Sequence, residues 1–141
     1  MQKERYWIGV VSRDYVTNAV EGNYCHLCHG KASPLLKMKP GDWIIYYSSM
    51  LTFKDKEPYQ KFTAIGKILD YKIHEVDRGD GLMPYRKNAE FIKDIKEVDI
   101  RELIKDLKFI EDKKSWGYYF RFGHLEIPKE DFELIKSKML G

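Results

Sequence analysis

The chain has 141 residues, with 25 Lys and Arg against 22 Asp and Glu for a net charge of +3. One domain (1–141) is expected, large enough to bury about two-thirds of its unfolded surface, and the near-balanced charge assigns most Lys, Glu and Asp to a solvated surface. No apolar run is long enough for a membrane span, and the N-terminus enters a strand without a signal-peptide core, so a cytoplasmic protein with no structural disulfide is expected.

Arg5–Val11 predicts the first strand. Ser12 ends it and caps a helix over Arg13–Glu21, whose Val16, Ala19 and Val20 share a face, with Gly22 as terminator. Tyr24–Ser33, small, polar and rich in Cys and His, reads as a functional loop. Lys39-Pro40-Gly41-Asp42 predicts a turn in which Pro40 fixes φ and Gly41 supplies positive φ. Trp43–Tyr47 follows as a strand apolar on both faces, inside a closed or two-sided sheet. Its last aromatics, Tyr46 and Tyr47, are expected to emerge beside the Cys/His loop.

Met50–Gln60 reads as a hairpin loop, and Lys61–Glu75 as a long strand with Gly66 at a bulge or bend. Asp77–Gly81 predicts a turn, and Leu82–Glu97 another strand centred on Tyr85–Ile95. Asp99 opens an expected helix, with Glu102 in capping-box position and Ile100, Leu103, Ile104 and Leu107 on one face. Ser115–Ile127 reads as a strand. Pro128 starts the last helix, with Phe132, Ile135 and Met139 facing inward. Five or six strands and three peripheral helices predict an α+β domain around a small, mostly antiparallel barrel.

The Cys25-His26-Leu27-Cys28-His29 motif has the spacing of covalent haem attachment, but that chemistry needs export. Zinc would take Cys25, Cys28 and one of His26 and His29; a fourth ligand would have to be His74 or His124, which lack paired spacing. Neither metal nor cofactor is expected, and the loop reads instead as one that points donors and backbone N–H groups into a pocket. No Gly-rich phosphate loop or nucleophile elbow is present. A metal-independent RNA-cleaving site of His29, Tyr47 and Arg121 is the enzymatic alternative.

Aromatics make up 14% of the chain, more than a core of this size needs, and aromatic side chains stack on bases. Trp7, Tyr46, Tyr47, Tyr85, Trp116 and the Tyr118–Phe122 run fall on predicted strands or their ends, beside Arg13, Lys31, Arg86 and Arg121. The high charged fraction and abundant Ile give a thermophile-like composition.

The segments Tyr6-Trp7-Ile8-Gly9-Val10-Val11-Ser12, Cys28-His29-Gly30-Lys31, Met38–Ser48, Phe62–Ile68, Pro84-Tyr85-Arg86 and Trp116–Gly123 resemble, in this order, the EVE domain family. The resemblance covers nearly the whole chain. It implies a PUA-like β pseudobarrel related to the YTH domains, which hold a methylated adenine in an aromatic cage. It also implies a non-enzymatic module that binds a modified base of DNA or RNA, in a family that often accompanies restriction systems. Carried over by motif, the pocket would be lined by Trp7, Ser12, His29, Gly30, Tyr46 or Tyr47, and Ser48, and closed by Tyr85 and Arg86. Arg13, Lys31 and Arg121 would meet phosphate. A small-anion or protein-interaction module is the remaining alternative.

Overall fold

The computed structural model describes residues 3–55, 57–77 and 83–141. Strand β1, Tyr6–Val10, forms where its apolar run predicts. Helix α1, Arg13–Gly22, follows at once and buries Val16 and Ala19. It runs one residue beyond the expected end. Asn23, at φ 56°, takes the left-handed cap in place of Gly22, its N–H bonded to Ala19 O. Asparagine tolerates this conformation through its short polar side chain.

Short strand β2, Tyr24–Cys25, and the single turn α2, Ser33–Leu36, lead to β3, Trp43–Met50. Strand β4, Pro58–Glu75, is 18 residues long and pairs with β3, with β5 (Tyr85–Phe91) and with β6 (Val98–Asp99). Strand β7, His124–Ile127, and helix α3, Lys129–Leu140, end the chain. The spatial order is β2-β5-β4-β3-β1-β7, with β6 beside β4. The pairs are antiparallel except β1 with β3, which run parallel with Tyr6 opposite Trp43. A parallel pair needs a crossover, and α1 with the Cys/His loop supplies it. The expected barrel is not closed. Among the described residues the sheet ends at β2 on one side and β7 on the other.

Both faces of this sheet are covered. One core gathers Ile8, Ile45, Tyr47, Phe62 and Ile65 beneath Phe132, Ile135 and Met139 of α3. The other gathers Trp7, Ile44, Tyr46 and Ile68 beneath α1 and the loop residues Cys25, Leu27 and Leu35. The two-residue side-chain period of β3 therefore sends Tyr46 and Tyr47 to opposite cores.

Three expectations give way to tertiary contacts. The helix expected after Asp99 is a 3₁₀ turn, Ile100–Glu102, followed by further turns. The apolar spacing held, since Ile100, Leu103 and Leu107 are buried. The backbone is instead claimed by Asp131 of α3, a buried carboxylate that accepts the N–H groups of Lys108 (2.9 Å) and Phe109 (2.8 Å). The strand expected over Ser115–Ile127 is a 3₁₀ turn, Trp116–Phe120, then a reversal at Gly123 (φ 75°) before β7. Gly66 sits in regular register. A Cβ there would lie 2.5 Å from Glu90 O, so the glycine permits close approach of β5, and the register shifts of β4 fall on either side of it, at Thr63 against β3 and between Ile68 and Ile73 against β5. Beyond Asp77, the turn expected at Asp77–Gly81 lies outside the described residues.

The predicted Lys39–Asp42 turn forms, with Gly41 at φ 91°. Its Asp42 is buried at 1% exposure. The carboxylate accepts from the Arg5 N–H, the Trp7 indole N–H and the Lys39 N–H, each at 3.1 Å. Trp7 is thereby fixed at the start of β1, with its ring stacked on His124 at a centroid distance of 4.6 Å. Both ring nitrogens of His124 are buried without a hydrogen-bond partner among the described residues. Burial, reinforced by the charges of Lys37 and Arg5, pushes its imidazole down from 6.5 to about 4.

Asp42→Ala leaves the indole and two backbone N–H groups without their acceptor, and is expected to cost about 3 kcal/mol in urea denaturation. His124 gives a pH dependence. Its folded pKa lies below its unfolded one, so between pH 6.5 and about 4 the unfolded chain binds a proton that the folded chain refuses. Stability falls through that window as pH drops, by roughly 3 kcal/mol in total. His124→Phe, which keeps a ring against Trp7, should flatten this limb when denaturation is repeated across pH.

Candidate functional site

A cleft of about 520 Å³ opens where five segments end together. The end of β1 contributes Val10 and Val11, and the first turn of α1 contributes Ser12 and Tyr15. Ser49 and Met50 come from the end of β3, and Phe53 from the loop after it. The Cys/His loop supplies His26, Leu27, Cys28 and Gly30, with Pro84 opposite. Phe120, Arg121 and Gly123 close the remaining side. The walls are thus mostly aliphatic and aromatic. The Tyr15 ring lies 5.9 Å from Phe53, tilted by 30°, and 6.1 Å from His26, edge to face.

Two glycines allow these loops to meet. Gly30, at φ 85°, packs so tightly that a Cβ would stand 2.5 Å from Pro84 Cβ. Gly123 packs against Cys28, whose Sγ would be 3.0 Å from a Cβ at that position. The Val10 N–H donates to Gly123 O at 2.8 Å, tying the same reversal to β1. Tyr46 holds the loop from beneath. Its hydroxyl donates to His26 O at 2.9 Å and accepts from the His26 N–H at 3.0 Å. Cys25 lies buried beside it, 3.4 Å from the hydroxyl, and burial pushes its thiol up to about 12. A neutral thiol of that kind packs as a small apolar group.

Ser12 carries the directional information. It occupies the N-cap position of α1 without capping, and its hydroxyl donates to Asp14 Oδ1 at 2.6 Å. With its proton so committed, the oxygen keeps lone pairs that can accept a hydrogen bond.

The structure brings Ser12, Gly30 and Arg121 together at the cleft. His29 belongs to the turn Cys28–Gly30 beside it, and its side chain lies outside the described residues. Lys31 follows and is exposed. The others do not line the cleft. Trp7 is held at Asp42. Tyr46 lies under the loop, and Tyr47 is buried in the α3-side core, stacked on Phe120 at 4.1 Å. Tyr47 and Arg121, two of the three groups of the cleavage alternative, are therefore not side by side in the cleft. Ser48 is buried and hydrogen-bonded to Thr63 at 2.8 Å, and Ser49 lines the cleft in its place. Tyr85 packs at the edge of the second core, while Arg86 lies 3.9 Å over the Tyr24 ring. Arg13 turns to Glu97 (2.5 Å) and Thr17.

Tyr15, His26 and Phe53 are the lining rings that sequence reasoning passed over. Tyr15 stands three residues after Ser12, the spacing that puts two helical side chains on one side. Phe53 is the one aromatic between β3 and β4, ahead of a charged run, and it is 44% exposed. Either signal was available. Among the described residues no three His, Cys, Asp or Glu gather as a metal site, and no helix is long and apolar enough to cross a membrane.

Comparison with known proteins places this geometry in a family. Residues 5–138 match the EVE domain. A UPF0310 protein encoded in the gntR 5' region of Bacillus licheniformis is 49% identical over 129 residues, covering 92% of this chain and 87% of that protein. Among solved structures, the YTH domain of Zygosaccharomyces rouxii MRB1, in complex with N6-methyladenosine RNA, superposes with a TM-score of 0.68 at 12% identity, covering 98% of this chain and 86% of that one. The N-terminal domain of Staphylothermus marinus McrB gives 0.60 at 13% identity, with 98% of each chain covered. At such identities the likeness is one of fold, and it makes the open sheet with its three helices a PUA-like α+β domain. With a match of this extent, the chain belongs to the EVE domain family.

Proposed function

We propose that the cleft holds one base of DNA or RNA, flipped or single-stranded and carrying a modification, and that the protein binds it without altering it. The observation that carries this reading is the cleft itself: about 520 Å³, walled by rings and aliphatic groups, with Ser12 presenting an acceptor. That volume lies within the range of small-molecule sites, about 300–1,000 Å³. A flat heterocycle suits it because stacking on Tyr15, Phe53 or Phe120 rewards either face, and the aliphatic remainder accommodates an added methyl group. The fold likeness to a YTH domain solved with N6-methyladenosine RNA supports the same occupant. Because the Ser12 oxygen accepts, the reading favours a base with an exocyclic amino group over one with a carbonyl at that edge.

The test is a titration of oligonucleotides that differ at one position: adenine, N6-methyladenine, cytosine, 5-methylcytosine or 5-hydroxymethylcytosine. One modified form should bind at least about tenfold more tightly than its parent, a difference of about 1.4 kcal/mol. Ser12→Ala should weaken that form about threefold to tenfold, the scale of one hydrogen bond. Equal affinity across the panel would overturn the reading, and so would strand cleavage in EDTA.

Few cations stand at the mouth. Arg121 and Lys31 are exposed there, whereas Arg13 and Arg86 are occupied by Glu97 and Tyr24. Two phosphate contacts should give a shallow loss of affinity with salt, at a log–log slope of about −1 to −2. A slope near −10 would point to a general basic surface instead.

A further inference from the structure

Arg121 belongs to two hollows. Besides the cleft, it lines a second, more open basin of about 670 Å³ with Ser115, Gly117, Tyr118 and Tyr119, and with Asp112 at the rim. One lining ring, Tyr118, and its neighbour Phe122 just outside the lining are unusually open. Tyr118 is 53% and Phe122 62% exposed, and their rings meet edge to face at 5.6 Å. Tyr119 is committed elsewhere, its hydroxyl accepting the Asp112 N–H at 2.9 Å. Nothing stands within 4 Å of a Cβ at Gly117, so the surface beside Tyr118 is bare.

The lining carries one guanidinium, Arg121, and one carboxylate, Asp112. The Arg121 guanidinium carbon lies 6.0 Å from the Tyr118 ring centroid. One oxygen of Asp112, Oδ1, accepts the N–H groups of Lys114 (3.1 Å) and Ser115 (3.4 Å), which turns it toward its own loop. Two adjoining exposed rings beside an arginine, continuous with a base-sized cleft, have the make-up of a single-strand stacking surface.

We propose that this basin is a platform for the nucleotide next to the one in the cleft. Arg121 meets the phosphate between the two nucleotides, and the neighbouring base stacks on Tyr118 against the edge of Phe122. The platform rests on the base-binding reading for the placement of the first nucleotide. It adds a strand requirement that the cleft alone does not impose. A base inside a duplex has both faces covered by its neighbours, so only an unpaired strand can present a face to Tyr118. Because every base has such a face, the platform is indifferent to sequence.

The experiment uses three probes: a single-stranded ten-nucleotide adenine DNA, the same strand annealed to its complement, and adenosine monophosphate. Wild-type protein should bind the single strand more tightly than the duplex. Tyr118→Ala and Phe122→Ala should each weaken single-strand binding about fivefold or more, with affinity for the monophosphate unchanged. Gly117→Leu should do the same by covering the basin, and its open surroundings make it a variant that folds. Single-strand affinity indifferent to all three substitutions, a preference for duplex, or no saturable single-strand binding would each overturn the platform. Phe53→Ala separates the two readings, since a cleft-bound base should lose affinity for monophosphate and single strand together. Dependence on Tyr118 without dependence on Phe53 or on base modification would leave the platform standing and remove the cleft.

Discussion

The buried carboxylate of Asp42 is the constraint on which the architecture turns. Parallel neighbours β1 and β3 have no hairpin to set their register, so something else must hold the two strand starts level. Asp42 does this from the residue before β3. It accepts the N–H of Arg5, the residue before β1, and the indole N–H of Trp7 within it. Tyr6 consequently falls opposite Trp43, and Val10, the end of β1, is brought level with Tyr47 inside β3. The cleft opens beyond that last pair, where β3 continues to Ser49 and Met50. A single side chain buried at one end of the pair thus determines which residues face one another at the other end.

The same device recurs at Asp131, where a buried aspartate accepts backbone N–H groups from a segment with no regular structure of its own. In both places a carboxylate replaces hydrogen bonds that a longer helix or strand would have made internally, and each N–H so engaged is one fewer unsatisfied buried donor. The result is a rigid sheet with irregular but well-anchored loops. The Cys/His loop is the clearest case, supported by the Tyr46 hydroxyl below and fitted by glycine contacts at Pro84 and Cys28. Binding residues on such loops gain the precision of the scaffold.

The tyrosine pair shows why the candidate site was only partly legible. Tyr46 and Tyr47 end an apolar strand next to the Cys/His loop, and proximity in sequence suggested that one of them faces a ligand. The sheet has a packed layer on each face, so adjacent residues on β3 are buried on opposite sides, and neither lines the cleft. Ser12 and Gly30, both expected at a pocket, line the cleft, and each is marked by a local feature: a helix N-terminus and a positive-φ glycine. Tyr15 and Phe53 were missed because what qualifies them is the company of His26, Phe120 and Pro84, residues remote in the chain.

What the amino-acid sequence determined by itself is local or cumulative: β1, α1 and α3, the Lys39–Asp42 turn, the apolar faces of Val16 and Ala19 and of Phe132, Ile135 and Met139, and the family. Each follows from side-chain periodicity, a turn residue's φ, or many weak matches added along the chain. Tertiary structure alone decided that Asp99 begins turns and not a helix, that Trp116–Phe120 coils before a short β7, that the sheet stays open, and which rings meet at the cleft. Those outcomes depend on buried carboxylates and glycine contacts between segments distant in sequence. Such contacts exist only after the chain has folded, and they outweigh local preferences of a few tenths to about one kcal/mol per residue.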